Sequence, residues 1–528
     1  MSVLDRTHEV LNQAPPLLDY NVFEADVPLR EALEREGGDW GIDRLRDLGT
    51  VAGSAEAREH SLRAERNQPR LLTHDRYGNR IDQVDLDPSW HWLLRVAIER
   101  ELAALPWRDP QPGAHVVRGA MMYVFGQVNA GVLCPVSMTY SAVPALRANP
   151  ELAAEWEPRL TLPDYERGAI SGMAMTEKQG GSDVRANTTR AEPQSDGTYE
   201  ITGHKWFCSY PPCDVFLTLA QAPAGLSCFL IEGRDPGFRI QRLKDKLGTR
   251  SLPSSEVEFH GVRGRLVGEE GRGVPTIIEM VNHTRLDCLI GSAAGMHYGV
   301  AQAVHHARHR SAFGKPLVEQ PAMQNVLADL AIEAEAATAA AMRIARAYDE
   351  KDTAFRRIAT AVLKYWVCKR AAPHANEALE CHGGNGYIEE SNMPLLYRDA
   401  PLNSIWEGSG NVAALDVLRA MMREPAALPA FLDECKEASG ADARLDAHIQ
   451  EIEGEFANFD VENAQWRARA LVEKLALALQ ASLLVRHAPP AVADAFCAGR
   501  LGGEGGRAFG TLPSGVDAPA IIDRALAA

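Results

Sequence analysis

The chain has 528 residues, 46% of them apolar and 24% charged, which is too long for one ordinary core and too apolar for extended disorder, so several packed domains are expected. Fifty-five Lys and Arg against 71 Asp and Glu leave a net charge of −16, which argues against a surface coated in positive charge for gripping phosphate backbones. No uncharged apolar run approaches the roughly 20 residues of a membrane span, Met1–Arg6 has no cationic start followed by an apolar stretch, and nine cysteines form no Cys-x-x-Cys pair. The expectation is a soluble, cytoplasmic chain with reduced thiols.

From Leu17 to about Pro88 the text is charged and punctuated by proline, which reads as an arm plus small helices. Between His91 and Ala130, Trp92, Leu93, Val96 and Ala97, then Val117, Ala120, Met121 and Val124, recur at helical spacing and predict two buried helices. After Tyr165 the texture changes. Ser195-Asp196-Gly197 separates β-prone runs and predicts a hairpin, and further β-rich runs at short intervals make residues 166–265 an antiparallel β domain.

The helical period returns at Pro275. Segments 275–308, 321–349, 354–381 and 393–422 predict an antiparallel four-helix bundle, with Pro373 expected to kink the third. A composition break at Glu424-Pro425 opens a helical tail in which Trp466, Ala470, Leu471, Leu475, Leu479 and Leu483 share one face, ahead of a Gly-rich stretch from 499 to 515. The domains expected are thus 1–165, 166–265, 266–423 and 424–528, an α+β architecture.

Neither Gly-x-Gly-x-x-Gly nor a phosphate loop ending in Gly-Lys-Ser/Thr is present, so a nucleotide must be held another way. Met173-Ala-Met-Thr-Glu-Lys-Gln-Gly-Gly-Ser-Asp183 offers backbone amides and hydroxyls that suit anionic or carbonyl oxygens. His305 and His309 lie four apart without a nearby acidic third ligand, so no metal site is expected.

Five motifs occur in order: that loop, Gly203-His-Lys-Trp-Phe-Cys-Ser209, Arg310-Ser-Ala-Phe-Gly-Lys-Pro316, Gly383-Gly-Asn-Gly-Tyr387 and Ile405-Trp-Glu-Gly-Ser-Gly-Asn411. On an α–β–α plan they resemble the acyl-CoA dehydrogenase flavoproteins over roughly residues 90–423. Thr176–Val184, Asn403–Val412, the arm Thr7–Gln13 and the tail resemble the AidB-like alkylation-response branch. The resemblance implies an acyl-CoA dehydrogenase-like fold, FAD, a homotetramer and a small-molecule substrate of the acyl-CoA class.

It also assigns residues. Met173, Met175, Thr176, Gly181 and Ser182 are implied at the flavin ring and phosphates, Phe207, Cys208 and Ser209 beside the ring, and Arg310 and Phe313 at the FAD of a neighbouring subunit. Ser404, Ile405, Trp406, Gly408, Ser409 and Asn411 are implied to contact the cofactor as well, and they flank Glu407, the implied base that takes the α-proton of a thioester, with Arg285 holding it. Trp406 and Ser409 stand where the parent family carries Tyr and Thr, and Glu380 where it usually carries Gln.

The AidB-like branch further implies DNA binding through the tail and a part in the response to DNA alkylation. The tail holds 9 Lys and Arg against 16 Asp and Glu, yet within 464–487 Arg467, Arg469, Lys474 and Arg486 face only Glu473. Weak, sequence-indifferent binding of duplex DNA is the expectation there. The alternative is a metabolic short- or branched-chain acyl-CoA dehydrogenase with no DNA role.

Overall fold

The computed structural model describes residues 7–350 and 352–527; Met1–Arg6, read above as lacking a leader pattern, lie outside the described residues. In the N-terminal region short helices begin at polar caps: Asp26, Ser54 and Asp87 each accept a first-turn backbone N–H, opening Val27–Arg35, Ala55–Arg66 and Pro88–Glu99. Two helices, α1 (Ala114–Gly126) and α2 (Leu133–Leu146), are buried almost throughout. The stretch expected as arm and small helices also contains a hairpin, β1 (Arg70–His74) and β2 (Arg80–Asp85). Its strands are mostly exposed and polar, so they carry no apolar alternation to betray them. Asp82 accepts from the Ile240 N–H at 3.0 Å and Arg80 donates to the Ile240 carbonyl at 2.7 Å, which fastens the hairpin to the next domain.

That domain comprises β3 (Ser171–Ala174), β4 (Arg190–Pro193), β5 (Tyr199–Cys208), β6 (Val215–Ala222), β7 (Gly225–Glu232), β8 (Phe238–Leu243) and β9 (Ser255–Val267). Strands β4, β5, β9, β7 and β6 pair in a closed ring, with β3 on β6 and β8 on β9. The expected hairpin is β4–β5, turned at Gly197 with φ +83°. The sheet is not wholly antiparallel. β3 and β4 both pair with β6 in parallel, because the chain leaves β3 through the 175–189 loop and returns to continue along the same edge of β6.

The bundle starts with α3 (Gly273–His309), α4 (Pro321–Asp349) and α5 (Thr353–Glu380). Helix α5 continues through Pro373 to Glu380. The fourth segment, expected as one helix over 393–422, is instead two: Met393–Asp399 and α6 (Gly410–Arg423). Between them lies irregular chain in which Glu407 and Gly408 adopt φ +57° and +98°. A non-glycine residue in that region costs of order 1–3 kcal/mol and persists only where its surroundings impose it.

The tail centres on α7 (Ala464–His487), which packs against α4, α5 and α6. Leu471, Leu475, Leu479 and Leu483 are buried as expected, but at its start the buried line runs through Ala464 and Ala468; Trp466 is 92% exposed and Ala470 is exposed. The Gly-rich stretch is pinned to α4. Arg500 donates to Glu333 at 2.7 Å and to Asp329 at 2.5 Å, while Asp329 and Asn325 accept from the Gly510 and Leu512 amides at 2.9 Å.

Candidate active site

Glu407 reaches its place because three consecutive carbonyls are collected from behind. Lys364 of α5, itself buried, donates to the Trp406 and Gly408 carbonyls, and Arg285 Nε of α3 donates to the Glu407 carbonyl at 3.0 Å. With its backbone turned toward the bundle, the partly buried Glu407 side chain lines a cavity on the opposite side. Thr284 Oγ1 donates to Glu407 Oε2 at 2.7 Å. Burial pushes the Glu407 carboxyl above the ordinary range, opposed by the Thr284 hydroxyl and the Arg285 and Lys364 charges. A base poised in this way takes up a proton at higher pH than a solvated carboxylate.

Arg285 therefore holds the loop and not, as expected, the carboxylate. Its fork is taken by Asp416 at 2.8 Å, an acid that Arg357 also grips through two bonds of 3.0 Å. Thr284 is the residue that touches the carboxylate, and a hydroxyl one position before a conspicuous Arg gave no signal in the sequence.

The cavity encloses about 840 Å³ of empty space, part of it open to solvent. Its walls come from α1 and α2 (Met122, Leu133, Cys134, Met138), from α3 (Thr284, Cys288, Gly291) and from the chain before α6 (Asn403, Trp406, Glu407). The β domain adds Met173 and Ser209, and Thr249 closes one side. Of the residues singled out by resemblance, Met173, Ser209, Trp406 and Glu407 thus share one cavity. Trp406 is fixed by its indole N–H, which donates to Asn403 Oδ1 at 2.9 Å.

Cys208 does not join them through its side chain. An irregularity in the β5–β9 register between Lys205 and Cys208 breaks the strand's alternation; Cys208 is fully buried, and burial pushes its thiol up to about 12. Phe207 is about half exposed. Met175 and Thr176 lie in the loop after β3, whose carbonyls accept from Asn187 at 3.0 Å and from the Trp206 amide at 2.7 Å. Gly181 packs so closely on Thr176 that a Cβ there would stand 2.5 Å from its hydroxyl. Ser182 is exposed.

A buried ion pair that sequence reasoning missed holds this loop. Lys205 donates to Glu177 at 2.9 Å and to the Leu219 carbonyl at 2.7 Å, and Glu177 accepts further bonds from Thr188, Thr189 and Gln179. Burial would raise the Glu177 carboxyl; Lys205 and the amide donors overcome it and hold the group at about 2. Both residues lie inside the motifs 173–183 and 203–209.

The remaining residues lie elsewhere. Ser404 is partly buried, Ile405, Ser409 and Asn411 are exposed, and Gly408 supplies a positive-φ turn. Arg310 reaches the N-terminal arm, donating to the Asn12 carbonyl, and Asn12 bonds both backbone groups of Ser311. Phe313 stands 100% exposed at a hairpin tip with φ +51°. His305 meets the Pro15 carbonyl at 2.8 Å, and His309 meets the His305 carbonyl.

The four cations of α7 do not form an open patch. Arg467 and Lys474 are both paired with Glu455, Lys474 also with Glu451 at 2.6 Å, and Arg486 with Glu434 at 2.6 Å. Arg469 Nε donates to Asn411 at 2.8 Å. Three of the four cations read from residues 464–487 are thus matched by acids on neighbouring helices.

With this geometry in view, comparison with known proteins is decisive. Residues 12–167 match the adaptive response protein AidB N-terminal domain, residues 172–262 the acyl-CoA dehydrogenase middle domain, and residues 271–422 the acyl-CoA dehydrogenase C-terminal domain. The chain is 40% identical over 521 residues to AidB of Escherichia coli K12, covering 95% of this chain and 96% of that one. It belongs to the AidB-like acyl-CoA dehydrogenase family. Among solved structures, Caenorhabditis elegans ACDH-11 in complex with C11-CoA superposes with a TM-score of 0.86 at 26% identity, covering 99% of this chain and 94% of that one. The apo form of Bd2924 gives 0.84 at 28% identity, covering 90% and 99%.

Acyl-CoA dehydrogenases are FAD-dependent oxidoreductases that act on CH–CH groups. The residues present fit that cofactor. Thr249 Oγ1 is buried on the cavity wall without a hydrogen-bond partner, and with the Ser209 hydroxyl, the Met173 thioether and the Trp406 indole it makes a surface that is apolar on one aspect and hydrogen-bonding on the other. An isoalloxazine ring needs both. Thr249 holds φ +45°, and its amide donates to Asp399 at 2.6 Å, which fixes it in this orientation. No helix among the described residues is long and apolar enough to cross a membrane.

Proposed function

We propose that the protein desaturates an acyl-CoA thioester with Glu407 as the base. The observation that carries this reading is a carboxylate with a raised proton affinity, hydrogen-bonded to Thr284 and aimed into the cavity that also presents Met173, Ser209 and Thr249. FAD, when bound, supplies the hydride acceptor for the β-carbon. Glu407 receives the α-proton, the Cα–Cβ bond becomes double, and the two electrons leave the substrate with the hydride. Trp406 and Asn403 hold the wall against which the acyl chain lies, and Met122, Leu133 and Met138 keep water from it. The C11-CoA seated in the ACDH-11 structure supports the same class of ligand here. The test is an anaerobic titration of the FAD-loaded protein with an acyl-CoA panel, read as loss of flavin absorbance. Bleaching by at least one thioester is expected, and no bleaching by any of them overturns the reading.

Met173, Met175, Thr176, Gly181 and Ser182 are assigned to the flavin ring and phosphates, and Arg310 and Phe313 to the FAD of a neighbouring subunit in a homotetramer. A fully exposed aromatic at a strained tip supports the second assignment. Phe313→Asp is expected to lower both the mass in sedimentation and the FAD content. A part in the response to DNA alkylation, with DNA held by the tail, follows from the AidB-like relationship alone. The pairing of Arg467, Lys474 and Arg486 with Glu455, Glu451 and Glu434 speaks against duplex binding through α7, so the metabolic reading is preferred.

A further inference from the structure

Behind the active-site cavity lies a second hollow that shares its walls, with Gly126, Ala130, Gly291, Asp399 and Asn403 bordering both. Asn403 stands at the junction of the two, its amide donating to Ser292 Oγ at 3.1 Å and its Oδ1 accepting from the Trp406 indole. From Thr284, beside Glu407, the junction at Gly291 is about 10 Å along α3 and Tyr298 at the far end about 21 Å, at about 1.5 Å per residue. Gly291 and Gly295 keep this side open; a Cβ at Gly295 would already meet Leu396 at 3.3 Å.

The intermediate walls are aliphatic, with Leu395, Leu396, Ala371 and Ala375. The far end is not. Gln127 is 9% exposed, and neither its Nε2 nor its Oε1 has a hydrogen-bond partner. Asn392, 7% exposed, donates to the Tyr298 hydroxyl at 3.2 Å while its Oδ1 has no partner. Tyr298 also accepts from Arg58 at 3.1 Å, which leaves its own proton to donate. Each unpartnered buried polar atom costs about 1–3 kcal/mol. Gln127, Tyr298 and Asn392 also border a neighbouring hollow beside Arg58, and the three unpartnered atoms at this junction, donors and acceptors together, match a ligand group that both gives and takes a hydrogen bond. A negative group fits poorly, because Asp399 on the shared wall is already pushed up to about 8 by burial and by Glu65.

We propose that this hollow is a distal subsite that takes a neutral hydrogen-bonding group, a hydroxyl or a carboxamide, at the far end of the acyl chain. The preferred substrates are then ω-functionalised acyl thioesters and not plain fatty ones. This deepens the acyl-CoA reading above and rests on it.

The test uses the FAD-loaded full chain and acyl-CoAs of matched medium and long chain length ending in methyl, hydroxyl, carboxamide or carboxylate. Binding is read by calorimetry and flavin reduction by absorbance. The hydroxyl or carboxamide ligands are expected to bind about tenfold or more tightly than the methyl ligands. That preference should vanish in Gln127→Leu and shrink in Tyr298→Phe, which deletes one hydroxyl without changing shape. Equal or tighter binding of methyl ligands, or an unchanged preference in both variants, overturns the subsite; tightest binding of the carboxylate overturns its neutral character. Flavin reduction without any end-group preference removes the subsite alone, whereas binding without reduction by any thioester removes the dehydrogenase reading and leaves the end-group preference legible by calorimetry. Failure of every thioester to bind overturns both.

Discussion

The hydroxyl of Thr284 donates to Glu407 Oε2 at 2.7 Å, so the carboxylate at the cavity wall is positioned by α3 while its own backbone is held by Lys364 and Arg285. Because that bond favours the charged form, Thr284→Val is expected to raise the Glu407 pKa further. The acid limb of flavin reduction against pH should move up by about one unit, with FAD content unchanged. Glu407→Gln should keep FAD and lower the rate of reduction at least about a hundredfold. Stopped-flow absorbance across pH reads both, and a wild-type rate in Glu407→Gln removes the residue from the mechanism.

Lys205 and Glu177 are buried as a pair, and removing one charge leaves the other uncompensated. Lys205→Met is expected to destabilise the fold by about 3 kcal/mol and to release FAD by loosening the 176–183 loop. Lys205→Met with Glu177→Gln should recover part of that loss. Thermal melting and the flavin-to-protein absorbance ratio check the order: single variant worst, double variant intermediate.

Arg500 joins the tail to the bundle through Glu333 and Asp329. Burial would raise the Glu333 carboxyl, but Arg500 and Arg370 outweigh it and hold the group at about 2 against an ordinary 4.5. The stability this contributes is complete above the ordinary value and is lost as pH falls through about 2. Arg500→Ala should cost about 3 kcal/mol at neutral pH and less near pH 3, since a protonated Glu333 no longer needs the guanidinium. Urea melts at the two pH values would show that convergence; an equal loss at both contradicts it.

For α7, labelled duplex DNA titrated at two salt concentrations should show no binding that depends on Arg467 and Arg469, because Arg467 is already paired with Glu455 and Arg469 is held by the Asn411 amide. Steeply salt-dependent binding that disappears in Arg467→Glu with Arg469→Glu would restore the tail as a nucleic-acid surface.

Local pattern and motif determined much of this protein. The β4–β5 hairpin at Ser195-Asp196-Gly197 and the long helices α3, α4 and α5 were legible because turn chemistry and helical period are properties of neighbouring residues, and Glu407 as the acid to watch was legible through the family resemblance of its motif. Tertiary structure alone decided the rest. The fourth bundle segment reads as one helix, yet Lys364 and Arg285 draw three carbonyls out of it and so deliver Glu407 to the cavity. Thr284 became the carboxylate's partner and Arg285 its loop's anchor through a single step along α3. Arg467, Lys474 and Arg486 of α7 met Glu434, Glu451 and Glu455, and Gln127 and the Oδ1 of Asn392, unremarkable in the sequence, came to line one hollow without partners. In each case the outcome depends on the distance between groups far apart in the chain. Charge and hydrogen-bond energies follow that distance and the water excluded from it, neither of which is written in residue order.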